Sequence, residues 1–561
     1  MEGGDRAAKR RKGGVQMRVA AAMNETEPPD IESLLATYLT TQVVWGIFSP
    51  QVAQRIANLA IKDLDASAAS GGGKLKDLQA MAKLGNYGKL PNNVHRDFMN
   101  TMSKDSSIDQ PFRTKMPFDL GLGEVDQDII LPHALFASIY ANYKESWTQV
   151  VAGTDEDSTL EKFWDAQENH PNLQDHPLNT REDYKSKCVP IGFHGDEVPL
   201  TGKGKVWCKK MLTFEWCSLV GKGATTEAVF WVWGVFEKAM VAGVGGTLEN
   251  FMEILKWSFY WLWQGKWPTH DHKGKKYSAS SEEGKKANTW LAGGFYAVVW
   301  AIMGDLDYYA ATLKLPHYGA KSPCALCRCT IHGENTWKNN QSNAPWLQTI
   351  WKPLEWLAWD GRTKCKLFTL PGVTATTVAL DYMHCKYLGC DQYIFGSVMY
   401  LLCFVIVSST PKDNLNVCWT FIKNYWKDHK VVRRLKYLNK LTMFVRKTDF
   451  PKLRGKAAEI KGFGPVVLAL FSKFMNPNLE IHKAIRAMLK LNVQMESILD
   501  QYKHHIALPS RPATQFKNCA TGMAQMQLKC CQHFLGEPDI KAFNITSKTH
   551  MVVHSALLAG F

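Results

Sequence analysis

The sequence has no hydrophobic run long enough to span a bilayer. The longest, Ile394 to Val407, has 14 residues and includes Gly396 and Ser397, whereas a membrane-spanning helix needs about 20. The N-terminus, Met1-Glu-Gly-Gly-Asp-Arg6, lacks the apolar core of a signal peptide. We therefore predict that the protein has no membrane partner.

The chain also has no regular cysteine framework, because its 14 cysteines are scattered in the sequence. Disulfide-rich secreted domains space their cysteines regularly, so a reducing compartment is expected. The basic run Lys9-Arg-Arg-Lys12 is typical of a nuclear-import signal and equally of a solvated tail. The basic character of the rest of the chain favours a nuclear protein.

Acidic residues are outnumbered: 52 Asp and Glu face 67 Lys and Arg, which leaves a net charge of +15. This charge favours polyanionic partners through counterion release, and double-stranded DNA is the partner that we predict. The segment 423–461 holds 13 Lys or Arg against three acids, with aromatic residues between them. A solvated helix face is the alternative interpretation. The predicted DNA-contacting residues are Lys430, Arg433, Arg434, Lys436, Lys440, Arg446 and Lys447.

Two alternating apolar stretches each end in an aspartate. Ile191 to Asp196 and Ala297 to Asp305 read as strands that deliver Asp196 and Asp305 to one edge of a sheet. Carboxylates are the hard oxygen ligands that Mg²⁺ or Mn²⁺ prefers, so the pair predicts a metal-dependent phosphoryl-transfer centre. A strand-end Asp can also simply cap a turn. Asp307 is an alternative second ligand.

Split cysteine and histidine pairs predict a structural zinc site. Cys324 and Cys327 have the spacing of a zinc half-site, and His550 and His554 project from one face of a helix. Buried thiols beside two unrelated histidines are the alternative, and Cys329 leaves the choice of thiols open.

Asp381 and His384 form an Asp-x-x-His motif ahead of a long apolar helix. An N-cap role for Asp381 is equally consistent with this position.

The order of these five motifs resembles that of the CACTA (En/Spm) transposases and, more distantly, of the V(D)J recombinase catalytic subunit. The resemblance covers roughly Cys188 to Phe561. It implies an RNase H-like core in which Asp196 and Asp305 are catalytic metal ligands, and it places Asp381 and His384 as support near the active site. It also implies DNA transposition by strand cleavage and transfer, with a homo-oligomer on DNA as a further expectation.

The predicted fold class is α/β: an RNase H-like core with a large, mainly helical zinc-bearing insertion and helical N-terminal regions. Three strands, a helix and a fourth strand are expected between Val189 and Asp305. The predicted divisions are a disordered basic tail (1–29), a helical module (30–66), a linker or irregular region (67–130), a helical pre-catalytic region (131–187), the catalytic core (188–319) and the helical insertion with the zinc ligands and the basic segment (320–561).

The resemblance also implies a third carboxylate, a Glu that follows the paired histidines. Only Ser555 to Phe561 follows His554 in the sequence, and none of these residues is acidic. The sequence therefore predicts DNA binding with little or no strand nicking, as expected for a truncated chain or for a decayed copy. The alternatives are a transposase-derived DNA- or chromatin-binding protein without catalysis, and a structural zinc protein.

Overall fold

The computed structural model describes residues 35, 50–69, 111–153, 158–200, 207–446, 449–537 and 540–561. The chain divides into two compact units, Met1–Ile108 and Asp109–Phe561. The predicted tail at 1–29, including Lys9 to Lys12, lies outside the described residues, as do most of residues 30–49.

In the first unit the structure describes one helix, α1 (Pro50–Ala69). It begins at the proline that the sequence places in a first turn. It continues through Ser67, where the sequence predicted the start of a linker, because Ala66 to Ala69 is rich in the best helix former. The predicted boundary was therefore three residues too early.

The second unit opens with a β-hairpin inside the region predicted as linker or irregular, and that prediction was wrong here. Strands β1 (Phe112–Phe118) and β2 (Gly123–Ile129) pair antiparallel. Only Met116, Phe118 and Ile129 in these strands are buried, so the apolar side of the hairpin is narrow. A strand with so few apolar residues gives a weak period-two signal, which explains the error.

Residues 131–187 are helical, as the sequence predicts, but in several short pieces. The longer helices are α2 (Pro132–Asn142) and α3 (Thr159–Ala166). The shorter segments are the helical turns Lys144–Ser146 and Tyr184–Lys187, the π-helical Trp147–Ala152 and the 3-10 turn Pro177–Thr180.

A four-stranded mixed sheet follows, in the order β5-β4-β3-β6. Its strands are β3 (Cys188–Pro199), β4 (Lys210–Ser218), β5 (Val229–Phe236) and β6 (Tyr296–Gly304). Neighbours β3, β4 and β5 are antiparallel, whereas β6 runs parallel to β3. The predicted sequence of three strands, one helix and one strand is therefore present, and the fold is mixed α/β.

The helix between β5 and β6 is α4 (Thr247–Gln264), which covers one face of the sheet. The Phe251 ring lies 4.6 Å from the rings of both Phe214 and Trp233. Such large apolar contacts fix the helix on the sheet and hold the strands in register. A short helix, α5 (Leu306–Ala311), begins directly after β6.

Past α5 the described chain is helical and irregular, and it makes only isolated β-bridges. One of these pairs Ile302 of β6 with Val378 in parallel, and the amide of Ala379 donates to the Ile302 carbonyl at 2.9 Å. The Tyr309 hydroxyl lies 3.0 Å from the same carbonyl oxygen and also contacts that of Ala379. The segment 378–380 thus lies beside β6, on the side away from β3.

The main helices of this region are α6 (Gln392–Leu401), α7 (Pro411–Asp428), α8 (Ala457–Phe474), α9 (Glu480–Gln501), α10 (Ser510–Leu535) and α11 (Ser547–Leu558). The other helical segments past β3 are Thr225–Ala228, Glu237–Ala239, Glu282–Lys286, Pro345–Thr349, Pro353–Ala358, Lys366–Thr369, Ala375–Thr377 and Leu441–Met443.

Helix α6 continues at both ends into π-helical turns, Met383–Asp391 and Leu402–Ile406. The continuous helix 383–406 is long and apolar enough to cross a bilayer. However, 72% of its most apolar window is buried inside the protein, as in the core helix of a globular fold.

Candidate active site and metal centre

Asp196 and Asp305 lie at the same level of two neighbouring parallel strands. Gly195 of β3 pairs with Gly304 of β6, and each glycine directly precedes one of the aspartates. A Cβ atom on Gly195 would lie 2.2 Å from the Tyr308 ring, and one on Gly304 would lie 2.3 Å from it. The Gly-Asp dipeptide therefore occurs twice because the Tyr308 ring fills the space beside both glycines.

Both carboxylates are half-buried and make local hydrogen bonds. Oδ1 of Asp305 accepts the backbone N–H of Tyr308 at 2.6 Å, so Asp305 is the N-cap of α5. Oδ1 of Asp196 accepts the N–H of Glu197 at 2.7 Å. The turn-capping interpretation is thus correct for Asp305. In both aspartates these hydrogen bonds use Oδ1, so Oδ2 of each carboxylate can bind another ligand.

A third carboxylate, Asp381, follows a short segment that forms one parallel β-bridge with β6. Ile302 pairs with Val378, so Asp305 and Asp381 each lie three residues beyond a paired position. Two hydrogen bonds fix Asp381: its Oδ2 lies 2.6 Å from His384 Nδ1, and its Oδ1 accepts the His384 N–H at 2.9 Å. We call Asp196, Asp305 and Asp381 the acidic row.

Electrostatics link His384 to the acidic row. The hydrogen bond to Asp381 raises the pKa of His384 above its usual value, and the nearby charge of Asp305 acts in the same direction. Burial alone would raise the pKa of Asp381, but the hydrogen bonds from His384 outweigh it and lower that pKa. Each group therefore stabilises the charged form of the other.

Asp307, the alternative ligand, and Glu496, a further acid of this unit, are placed less favourably. Asp307 is exposed on the first turn of α5, 3.9 Å from the ring nitrogen of His317. Glu496, on α9, accepts hydrogen bonds from the hydroxyls of Tyr382 and Tyr387 and lies 3.6 Å from Lys386. Its carboxylate oxygens are therefore already engaged.

The predicted cysteine and histidine ligands converge in a buried cluster, which comprises Cys324, Cys327, Cys329, His550 and His554. The ligand atoms of the first four lie within 4.8 Å of one another. The two histidines, on one face of α11, are 0% and 2% exposed, and Trp346 packs against both rings. Such a cluster could bind a metal such as zinc.

The donor chemistry of the Cys/His cluster fits zinc. Nε2 of His550 and Nε2 of His554 each lie 3.3 Å from Cys327 Sγ. Tetrahedral zinc with bonds of about 2.3 Å to sulfur and 2.0 Å to nitrogen gives a sulfur–nitrogen edge of about 3.5 Å. Burial lowers the pKa of His550, which keeps the imidazole neutral, as a metal ligand must be.

Five donors compete for four tetrahedral positions in this cluster. We expect zinc at about one ion per chain, held by Cys324, Cys327, His550 and His554, because both imidazoles share an edge with the same sulfur. Metal analysis should show zinc lost from His554→Gln and retained in Cys329→Ser. The reverse result would assign the fourth position to Cys329, and equal zinc in wild type and Cys324→Ser would remove the site.

The predicted DNA-contacting residues lie on the surface between α7 and α8. Within the described residues, Lys430, Arg433, Arg434, Lys436, Lys440 and Arg446 are all exposed, while Lys447 falls in the gap at 447–448. Buried Leu435, Leu438, Phe444 and Leu453 anchor the backbone of this segment. Residues 429–440 of this segment are not helical, whereas the two ends of the segment belong to α7 and α8.

Comparison with known proteins adds no family assignment: no family model matches the chain, and no curated protein does. The geometry of the acidic row and the Cys/His cluster therefore carries the functional argument.

Proposed function

We propose that the protein is a transposase-like DNA-binding protein whose acidic row is a centre for metal-dependent strand cleavage and transfer. The observation that carries this proposal is that Asp196 and Asp305 follow paired glycines of two neighbouring parallel strands, with Asp381 three residues beyond a single parallel bridge to β6. An RNase H-like core is part of the proposal, and the order of three strands, a helix and a fourth strand supports it.

Asp196 and Asp305 would hold divalent Mg²⁺ or Mn²⁺, for which carboxylate oxygens are suitable ligands. Ions bound there supply charge neutralisation on the attacking and leaving oxygens of a phosphodiester. The protein positions the carboxylates. The Tyr308 ring packs against the paired glycines and so fixes the backbone from which the side chains of Asp196 and Asp305 extend, and His384 orients Asp381. By resemblance, water and then a freed DNA 3′-hydroxyl would be the nucleophiles.

Asp381 changes one expectation drawn from the sequence. The absence of an acid after His554 predicted a centre with only two carboxylates. Asp381 offers a third carboxylate at the same sheet edge, already oriented by hydrogen bonds, so we now expect nicking activity. The exposed cations between α7 and α8 would bind the phosphates of the same duplex.

Nicking of supercoiled plasmid in Mn²⁺ tests this function. We expect the purified chain to relax the plasmid, and both Asp196→Ala and Asp305→Ala to abolish the reaction while salt-sensitive DNA binding remains. DNA binding without any nicking would indicate the non-catalytic DNA- or chromatin-binding alternative. A zinc-containing chain that does not bind DNA at all would indicate a structural zinc protein.

A further inference from the structure

Two half-buried lysines from distant parts of the chain lie against one side of the helix 383–406. A Cβ atom on Gly389 would lie 2.9 Å from Cδ of Lys548, and one on Gly396 would lie 2.8 Å from Cα of Lys452. The two glycines are about two helical turns apart. Because each glycine lacks a side chain, the segment that carries one of the lysines packs close to the helix axis there.

Neither lysine has an acidic hydrogen-bond or ion-pair partner in the described part of the chain. Nζ of Lys452 lies 5.0 Å from the centre of the Tyr393 ring, and Nζ of Lys548 lies 5.6 Å from that of Tyr318. Burial lowers the pKa of Lys452, and the charges of Lys548 and Arg446 lower it further, with only Asp449 opposing them. Half-buried cations that repel one another are costly unless an anion joins them.

This pair is close enough to the acidic row and to the exposed basic residues to interact with both electrostatically. On one side, the charge of Lys548 acts on His384, the hydrogen-bond partner of Asp381. On the other, the charge of Arg446 acts on Lys452. Lys548 also sits in the first turn of α11, where Thr546 provides no side-chain cap, so the positive end of the helix adds to the field.

We propose that Lys452 and Lys548 form a phosphate-binding seat that holds the backbone of the DNA strand entering the acidic row. This inference rests on the proposed function. A phosphodiester there would pair with both ammonium groups while the next phosphates continue towards Arg446 and the exposed cations. Lys452 and Lys548 are thus positioning residues for the strand and not catalytic ones.

The Cys/His cluster sets the position of one half of this seat. Lys548 precedes His550 by two residues on α11, so cluster and seat share the first turns of one helix. A metal bound through the two histidines would fix the axis and rotation of α11 and, with it, the lysine. The seat therefore gives the metal site a role in placing DNA as well as in stabilising the fold.

The salt dependence of DNA affinity tests the seat. Fluorescence anisotropy with a labelled duplex would compare the wild type, Lys452→Gln/Lys548→Gln and the control Lys517→Gln/Lys529→Gln, which removes the same charge from the exposed side of α10. Each phosphate contact contributes about 0.9 to the slope of log K against log salt, so the seat variant, which loses one phosphate contact, should lose about 0.9 and the control nothing. Lys452→Arg/Lys548→Arg should keep the wild-type slope.

The outcomes separate the two proposals. A wild type that binds duplex with a steep salt slope, together with a seat variant that matches the control, overturns the seat and leaves the proposed function intact. A wild type without salt-sensitive binding overturns both. Thermal unfolding followed by circular dichroism identifies a variant that has lost its fold, and the arginine variant then decides, because loss of slope despite retained charge would contradict a phosphate contact.

Discussion

Replacing Asp381 with Asn is expected to slow Mn²⁺-dependent plasmid nicking about a hundredfold, the upper end of the loss when a hydrogen-bonded partner of a metal site is removed. The substitution keeps the size of the side chain and its acceptor for the His384 N–H, but it removes the negative charge from the acidic row. Because charge neutralisation at the reacting phosphate depends on tightly held cations, the loss should appear in the rate constant.

The matched control for this change is Asp360→Asn, which removes one negative charge from an exposed position elsewhere on the chain. It should leave the nicking rate unchanged. Rescue of Asp381→Asn by a higher Mn²⁺ concentration would support a role in holding the cation. If Asp381→Asn nicks plasmid as fast as the wild type, the third carboxylate lies elsewhere and the register argument fails.

Replacing Lys386 with Met is expected to destabilise the second unit by about 3–5 kcal/mol, the typical cost of leaving a buried charge without its partner. Lys386 and Asp391 are 0% and 1% exposed, and Nζ lies 2.8 Å and 2.7 Å from the two carboxylate oxygens. Asn492 donates to the same carboxylate at 2.6 Å. Without the lysine, this carboxylate would have one neutral donor and no cation.

The cost should depend on pH with a definite sign. Burial raises the pKa of Asp391 to about 6 even with Lys386 present, and removing the lysine takes away the main opposing influence. The folded variant then binds more protons than the unfolded chain from about pH 4 to above pH 6, so its stability falls as pH rises through that window. Urea unfolding at pH 5 and pH 7.5 would measure the difference.

A double variant distinguishes a lost ion pair from lost packing. Lys386→Met/Asp391→Leu removes both charges together and should recover most of the stability, since apolar replacements of buried pairs are often neutral. Lys483→Met, which breaks an exposed pair with Glu480 on α9, should change little. A double variant as unstable as the single one would show that lost packing, and not the unpaired charge, causes the loss of stability.

The parts of the fold that could be predicted from the sequence are those with a strong local period. The stretches of β3 and β6 that lead to Asp196 and Asp305 are apolar, although β3 continues to Pro199, and α1 begins at a proline. The hairpin Phe112–Ile129 escaped because few of its residues are apolar. The pairing of Val378 to Leu380 with β6 was not predicted for a different reason. This segment is too short for a periodic signal, and its partner lies some 75 positions earlier in the chain.

The candidate site was predictable where the ligands come in pairs. The spacing of Cys324 with Cys327, and of His550 with His554, indicated a joint site that the fold does bring together. The alignment of Asp381 with Asp305 depends on a bridge that no local pattern encodes. The only sequence feature that indicated the positions of Lys452 and Lys548 was the pair of glycines at 389 and 396. A glycine in an apolar helix does not show which segment packs against it.

The π-helical turn Met383–Asp391 makes the structure sensitive to the number of residues in this segment. Lys386 and Asp391 are five residues apart, which puts them on one side of a π-helix but about 140° apart around an α-helix. Deleting or inserting one residue between Lys386 and Gly389 would turn everything beyond it by about 100°. That turn would separate the ion pair and rotate Gly389 away from Lys548. A substitution does not rotate the helix in this way, so we expect related chains to carry no gaps between Lys386 and Gly389.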